Sequence, residues 1–286
     1  MMDRRLTPAN ARVAAAHLRG KVDAPVYVEG RSKVIAVPVA DLLSAPHGRR
    51  ERQLLMGERV SVYEERAGWA FVQADKDGYV GYLLNEHLEE RRPATHWIVS
   101  RASHLYTEPD MKSHEWMCLS MGSQFRVIGE TGGFFETPLG YVPRPHMRPL
   151  DRQADDPVEV AERYLGVPYL WGGNSIWGID CSGLVTAACY GCGISCPGDS
   201  DLQEAGLGRP LAEAARLRRG DLLFWKGHVA LVAGKGMLIH ANAHHMSVTS
   251  EPIDLVMERI AAQGGGPVTS RRRLTMARPA LTARGL

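Results

Sequence analysis

The sequence predicts a multidomain chain in which two small all-β barrels precede an α+β domain. Three observations carry this. Residues 34–150 contain a repeat offset by 65 residues, as Met56-Gly57 against Met121-Gly122 shows. Both copies carry short alternating strand patterns closed by glycine turns. From residue 151 the pattern changes to helices followed by strands. A length of 286 residues is enough for two or three separate cores.

The N-terminal stretch, residues 1–33, reads as a helical or extended segment. Thr7 suits a helix N-cap, Pro8 the first helical position and Gly20 the stop. It has no apolar core longer than Val13–Ala16, well short of the ~7–15 residues of a secretion signal. The chain has five cysteines, an odd number, which favours reduced thiols over a disulfide framework. A cytoplasmic location is therefore expected. Net charge is only +2, so no polyanionic partner such as nucleic acid is expected. The cluster Arg271-Arg272-Arg273 reads as a solvated strand end. No apolar run is long enough to span a bilayer, so no membrane partner is expected either.

The two β units occupy residues 34–95 and 96–150. "LLMGERVSVYEERAGW" (54–69) matches "LSMGSQFRVIGETGGF" (119–134), and Gly68 and Gly133 share the offset. "GYV" recurs at 78–80 and 140–142. The last domain, 151–286, opens with "DDPVEVAERYLG". There Asp156 precedes Pro157, apolar residues follow at helical spacing, and Gly166 stops the helix. A glycine loop comes next, then a helix from Asp180 to about Tyr190. "DSDLQEAG" reads as a short capped helix, and "GDLLFWKGHVALVAGKGMLIHANA" as strands joined by tight turns.

Chemistry concentrates around Cys181. Asp180 is a candidate N-cap, and the free amides of a helix N-terminus stabilise a thiolate, so a lowered thiol pKa is expected. Ser182 and Gly183 are small and leave the sulfur approachable. His228 opens one strand and His240 lies near the end of the next. If Gly234, Lys235 and Gly236 form a three-residue loop, Ala233 pairs with Met237 and His240 with Ala230. Positions 228, 230, 238 and 240 then share a face. A two-residue loop puts the histidines on opposite faces. On one face, they supply a base and an orienting partner for a nucleophilic thiol. The Cys181 amide is a reasonable first oxyanion donor.

"YLWGGNSIWGIDCSGLV", "RRGDLLFWKGHVALVAG" and "MLIHANA" together resemble the NlpC-type cell-wall cysteine peptidases, over residues of about 155 to 275. The resemblance implies a papain-like fold, and the upstream repeats resemble the bacterial SH3-like modules that accompany it. The whole arrangement resembles the γ-D-glutamyl-L-diamino acid endopeptidases, or dipeptidyl peptidase VI. By that resemblance Cys181 is the nucleophile, His228 the general base and acid, and His240 the orienter, with no metal and no cofactor. The implied substrate is a murein peptide with a free N-terminal L-alanine, cut after γ-D-glutamate in peptide recycling. "CPGDSDLQ" resembles the family loop whose Asp-Ser pair follows the nucleophile, with Asp199 18 residues after Cys181. Asp199 would hold the amine, with Ser200 beside it. Gly198 stands where the family loop usually has arginine. "DGYVGY" resembles the segment whose tyrosine lines the active site, which maps to Tyr79. Trp171 joins the substrate-binding residues from the glycine loop.

Three other readings compete. Cys189, Cys192 and Cys196 form C-x-x-C-x-x-x-C, with His240, His244 and His245 nearby in sequence, a spacing that can bind zinc. A non-enzymatic wall-binding protein would use the β units alone, which leaves an intact Cys181/His228/His240 set unexplained. Acyl transfer to lipids or amines would keep the fold, but the Asp199-Ser200 pair and the upstream modules favour peptide hydrolysis.

Overall fold

The computed structural model describes residues 2–90 and 93–275. Residues 1, 91–92 and 276–286 of the expected segments lie outside the described residues. Among the described residues no helix is long and apolar enough to cross a membrane.

The N-terminal segment is not the expected helix. Val13–Ala15 forms a parallel pair with Val26–Val28, followed only by a 3-10 turn at Ala16–Leu18. The reason is local. The Asn10 carboxamide accepts from the backbone of Arg12 and Val13, and Arg12 forms a fork with Glu64. Such side-chain bonds compete with helical ones. Ala14 and Ala15 are buried beside Tyr27 and Tyr63.

The two β units follow the repeat. The first is a seven-stranded antiparallel sheet spanning Arg31 to Glu90, closed over Ile35, Leu42, Leu54, Val60, Val72 and Leu83. The second, from His96 to Pro149, packs Ile98, Leu105, Leu119, Phe125 and Val142. The repeated glycines sit at turns with positive φ, at 82° for Gly68 and 83° for Gly133.

The last domain places helices on both faces of a six-stranded antiparallel sheet. Its spatial order is Arg209–Pro210, Ser270–Arg273, Asp221–Trp225, His228–Gly234, Met237–Asn242 and Ser247–Pro252. Helix α1 (Pro157–Glu162) starts where Asp156 accepts from the Val158 amide at 2.8 Å. Helix α2 is Cys181–Gly191, α3 is Ser200–Gly206 and α4 is Ile253–Ala262. Alternation along the strands separates two cores. Leu222, Phe224, Val229, Leu231 and Ile239 meet Leu184, Val185 and Ala188 of α2. Leu223, Trp225, Ala230, Val232 and Leu238 meet Val256 of α4. Each large side chain fully buried this way contributes about 1.5–3 kcal/mol.

Arg271, Arg272 and Arg273 lie in the edge-side strand and are half-buried. Arg273 grips the buried Asp221 carboxylate, while Arg272 donates to the Leu207 and Gly208 carbonyls. These contacts tie the strand Ser270–Arg273 to the sheet and to the loop after α3.

Both β units dock on the last domain. Asn174 bonds the Gln53 backbone and side chain, Ile176 N–H donates to Ser120 Oγ, and Arg163 donates to the Val99 carbonyl.

Candidate active site

Cys181 heads α2 because Asp180 binds both sides of the junction. Its Oδ1 accepts from the Gly183 amide at 2.7 Å and from Ser182 Oγ at 2.9 Å, and its Oδ2 accepts from Gly172 at 2.8 Å. The glycine loop and the helix start are thus held by one carboxylate. Gly183 permits the closeness: a Cβ there would lie 2.4 Å from the Gly173 carbonyl oxygen.

Cys181 is 7% exposed and opens onto a cavity of about 360 Å³. The expected drop in thiol pKa is not observed. Burial pushes the thiol up to about 12, and the neighbouring Asp180 charge adds to this. The amides of Val229, Ser182 and Cys181 pull the other way without winning. Asp180 is the expected cap, but its negative charge opposes a thiolate beside it, and burial removes the water that would solvate one.

His228 directly precedes Val229, whose amide is one of those that favour the Cys181 thiolate. His228 Nε2 lies 2.8 Å from His240 Nδ1. The hairpin that aligns them differs from the expected one. Gly234, not Ala233, pairs with Met237, which leaves a two-residue turn of Lys235 and Gly236. Both have positive φ, 52° and 75°, as a type I′ turn demands. A bulge between Val232 and Gly234 absorbs the extra residue. Parity is restored beyond it, with Leu231 opposite Ile239, so both histidines face the same side.

Sequence reasoning missed the next two members of this chain of contacts. Glu251 Oε2 lies 2.8 Å from His240 Nε2. Arg259 of α4 grips both Glu251 oxygens. These bonds to Arg259 first, and then the one to His240, hold the Glu251 carboxyl down at about 2. An ionised carboxylate only accepts, so the proton of His240 sits on Nε2. His240 Nδ1 then accepts from His228 Nε2, and His228 Nδ1 is left bare as a base. The strand Ser247–Pro252 and α4 gave no motif in the sequence. Register supplies the signal, since Glu251 pairs with Leu238, two residues before His240.

The cavity also gathers Asp199, Ser200, Tyr79 and Trp171. Asp199 precedes α3 but makes no cap bond with its side chain. Instead its Oδ2 accepts from Tyr79 Oη at 3.0 Å. The Tyr79 ring is packed in the core of the first β unit, 2% exposed, with one edge against Gly198 and its hydroxyl on Asp199. Trp171 is 71% exposed at the rim, with its carbonyl bonded by Arg50. Gly198 is explained by a substitute anchor. A Cβ there would lie 2.8 Å from Arg52 Nη1, and that same nitrogen donates to the Gly198 carbonyl. Arg52 is buried against Asp77 at 3.2 Å. Burial opposes its charge, but Asp77, Asp180 and Asp199 outweigh this.

Cys189, Cys192 and Cys196 are buried among apolar neighbours of the α2 core. His244 and His245 meet edge to face in the turn between the strands Met237–Asn242 and Ser247–Pro252. Among the described residues no group of three or more His, Cys, Asp or Glu side chains is arranged to hold a metal ion.

A profile of the NlpC/P60 family matches residues 166–261, and one of the bacterial dipeptidyl-peptidase Sh3 domain matches residues 42–88. A gamma-D-glutamyl-L-lysine dipeptidyl-peptidase of Bacillus subtilis (strain 168) is 33% identical over 218 residues, covering 67% of this chain and 72% of the relative. A dipeptidyl-peptidase 6 of Lysinibacillus sphaericus is 28% identical over 253 residues, 77% of this chain and 91% of the relative. The crystal structure of an NlpC/P60 family protein from Bacillus cereus ATCC 10987 superposes with a TM-score of 0.71 at 22% identity. That match covers 85% of this chain and 99% of the other, and shows the shared fold. An SH3-like β region leading into a papain-like domain, and a relative one-third identical across most of both chains, place this chain in the NlpC/P60 family as a cysteine endopeptidase.

Proposed function

We propose that this enzyme hydrolyses the bond between γ-D-glutamate and the L-diamino acid, diaminopimelate or lysine, of murein peptides. The peptides carry a free N-terminal L-alanine, the product is L-Ala-D-Glu, and the setting is recycling of wall peptides in the cytoplasm. The observation that carries the reading is Asp199. Its carboxylate stands in the same cavity as Cys181, held by Tyr79 rather than spent on the helix end. The name of the Bacillus subtilis relative, a gamma-D-glutamyl-L-lysine dipeptidyl-peptidase, supports the choice of bond.

Cys181 supplies the nucleophile. Its thiol and the His228 imidazole, which burial holds down at about 3, both rest neutral. Proton transfer to His228 Nδ1 therefore accompanies attack on the γ-carbonyl carbon. The Cys181 amide meets the oxyanion. His228 next protonates the leaving amine, leaving a thioester that water hydrolyses with His228 again as base. His240 orients His228, and Glu251 with Arg259 fixes the protons along the chain. Asp199 takes the substrate ammonium, Ser200 lies beside it, and Tyr79 and Trp171 wall the peptide.

The amino end is where the reading is tested. A charge-assisted hydrogen bond to the ammonium is worth roughly 1.5–3 kcal/mol. Acetylating the alanine removes the cation and adds bulk, so kcat/KM should fall at least about tenfold, since ~1.4 kcal/mol is a factor of ten. Intact peptidoglycan has no free amine at that alanine and should also be a poor substrate. Asp199→Asn should shrink the gap between free and acetylated peptides. Equal cleavage of the two by the unmutated enzyme would refute amine recognition and the recycling role.

A further inference from the structure

The N-terminal segment reaches the cavity. Arg4 and Arg5 line it together with Glu51, Tyr79, Asp199 and Cys181. The segment is fixed by its backbone: the Val80 amide donates to the Arg5 carbonyl at 2.7 Å, next to Tyr79. Thr7 Oγ1 and the Leu6 amide both donate to the Asp3 carbonyl, closing a tight turn.

The Arg5 guanidinium spends its donors on three carboxylates. Nη1 donates to Asp199 Oδ2 at 2.7 Å and to Asp201 Oδ1 at 2.8 Å. Nη2 donates to Asp201 Oδ2 at 2.7 Å and to Asp3 Oδ2 at 2.6 Å, and Nε faces Asp3. With five N–H groups so engaged, Arg5 has none left for a substrate carboxylate. One cation among three carboxylates leaves the cluster net negative, so it still attracts an ammonium. Asp199 Oδ2 is filled by Arg5 and Tyr79 together, whereas Asp199 Oδ1 accepts no hydrogen bond among the described residues.

We propose that Arg5 is a positioning residue of the substrate pocket: by holding Asp199 Oδ2 it presents Oδ1 to the substrate's ammonium, and it makes Asp3–Thr7 a wall of the site. This rests on the reading of Asp199 as the amine-binding group. It gives the N-terminal segment a function in substrate selection. Neither the repeat nor the catalytic motifs assign it one.

The test uses the full-length enzyme with the free tripeptide L-Ala-γ-D-Glu-diaminopimelate and its N-acetyl form. Arg5→Ala should raise KM for the free peptide about tenfold and leave kcat within about twofold. It should leave cleavage of the acetylated peptide within about twofold, so the preference for a free amine collapses. Arg5→Lys, which keeps the charge but not the fork, should fall between the two. Adding Arg5→Ala to Asp199→Asn should change little further, because Arg5 acts through Asp199. Melting temperatures of both Arg5 variants check the fold. If both variants discriminate as the unmutated enzyme does, the inference fails while amine recognition stands. A lower KM in Arg5→Ala would mean that Arg5 plugs the pocket, and would overturn it. If the unmutated enzyme cleaves both peptides equally, amine recognition and this inference fall together.

Discussion

Cys181→Ala should abolish hydrolysis, lowering turnover by at least about a thousandfold, while the protein stays folded. The helix start does not depend on the sulfur. Asp180 caps α2 through the Gly183 amide and ties it to Gly172, and neither bond involves Cys181. The change removes one atom that faces the cavity, so the loss is chemical. Alkylating the thiol should silence the enzyme in the same way. Cys189→Ala, Cys192→Ala and Cys196→Ala should each keep most activity. Those thiols are buried in the core that α2 shares with the sheet, and none of them lines the cavity. Their removal should instead lower stability by the modest amount a small core deletion costs. Full activity in Cys181→Ala protein would end the thiol mechanism.

His228→Ala should lose nearly all turnover, because no other group takes the thiol proton or protonates the leaving amine. His240→Ala should be milder, since it removes an orienting contact and the Glu251 link behind it. The reverse order would mean that the roles are exchanged. The same variant has a signature in stability. Burial, then His240 and Arg259, hold His228 down at about 3 against an ordinary 6.5. The unfolded chain therefore binds a proton between those pH values that the folded protein refuses. Stability should fall as pH drops below about 6.5 and go on falling toward 3. Urea unfolding should show a shallower fall over this range in His228→Ala. A residual slope should persist because His240 is also held down by burial. Identical slopes in the two proteins would contradict a buried neutral imidazole.

The readable parts of this chain were those with a period or a fixed spacing. The repeat at 56–57 and 121–122 marked two β units, and Asp180 before an apolar run marked the start of α2. The placement of Cys181 at the head of α2 and of His228 beside His240 was legible because loop, order and spacing agree. What escaped depended on partners distant in sequence. The N-terminal segment has helix signals, but Asn10 and Arg12 are claimed by local turns and by Glu64. Hairpin parity came out right although the turn is shorter than expected, because a bulge restores the missing residue. The thiol pKa went the other way because burial, which only the tertiary fold sets, outweighs the helix end, and the charge of the adjacent Asp180 adds to it. Glu251, Arg259, Arg52 and Arg5 carry no motif. Each is placed by sheet register or by docking between units, and only the fold brings it to the site.

The central claim is that a thiol in this cavity cuts one particular bond. It is tested most directly by incubating the purified enzyme with L-Ala-γ-D-Glu-diaminopimelate and identifying the products by mass spectrometry. The expected products are L-Ala-D-Glu and free diaminopimelate in equal amounts, formed by the unmutated protein and not by Cys181→Ala. Release of free alanine, or an intact tripeptide after long incubation with folded enzyme, would contradict it.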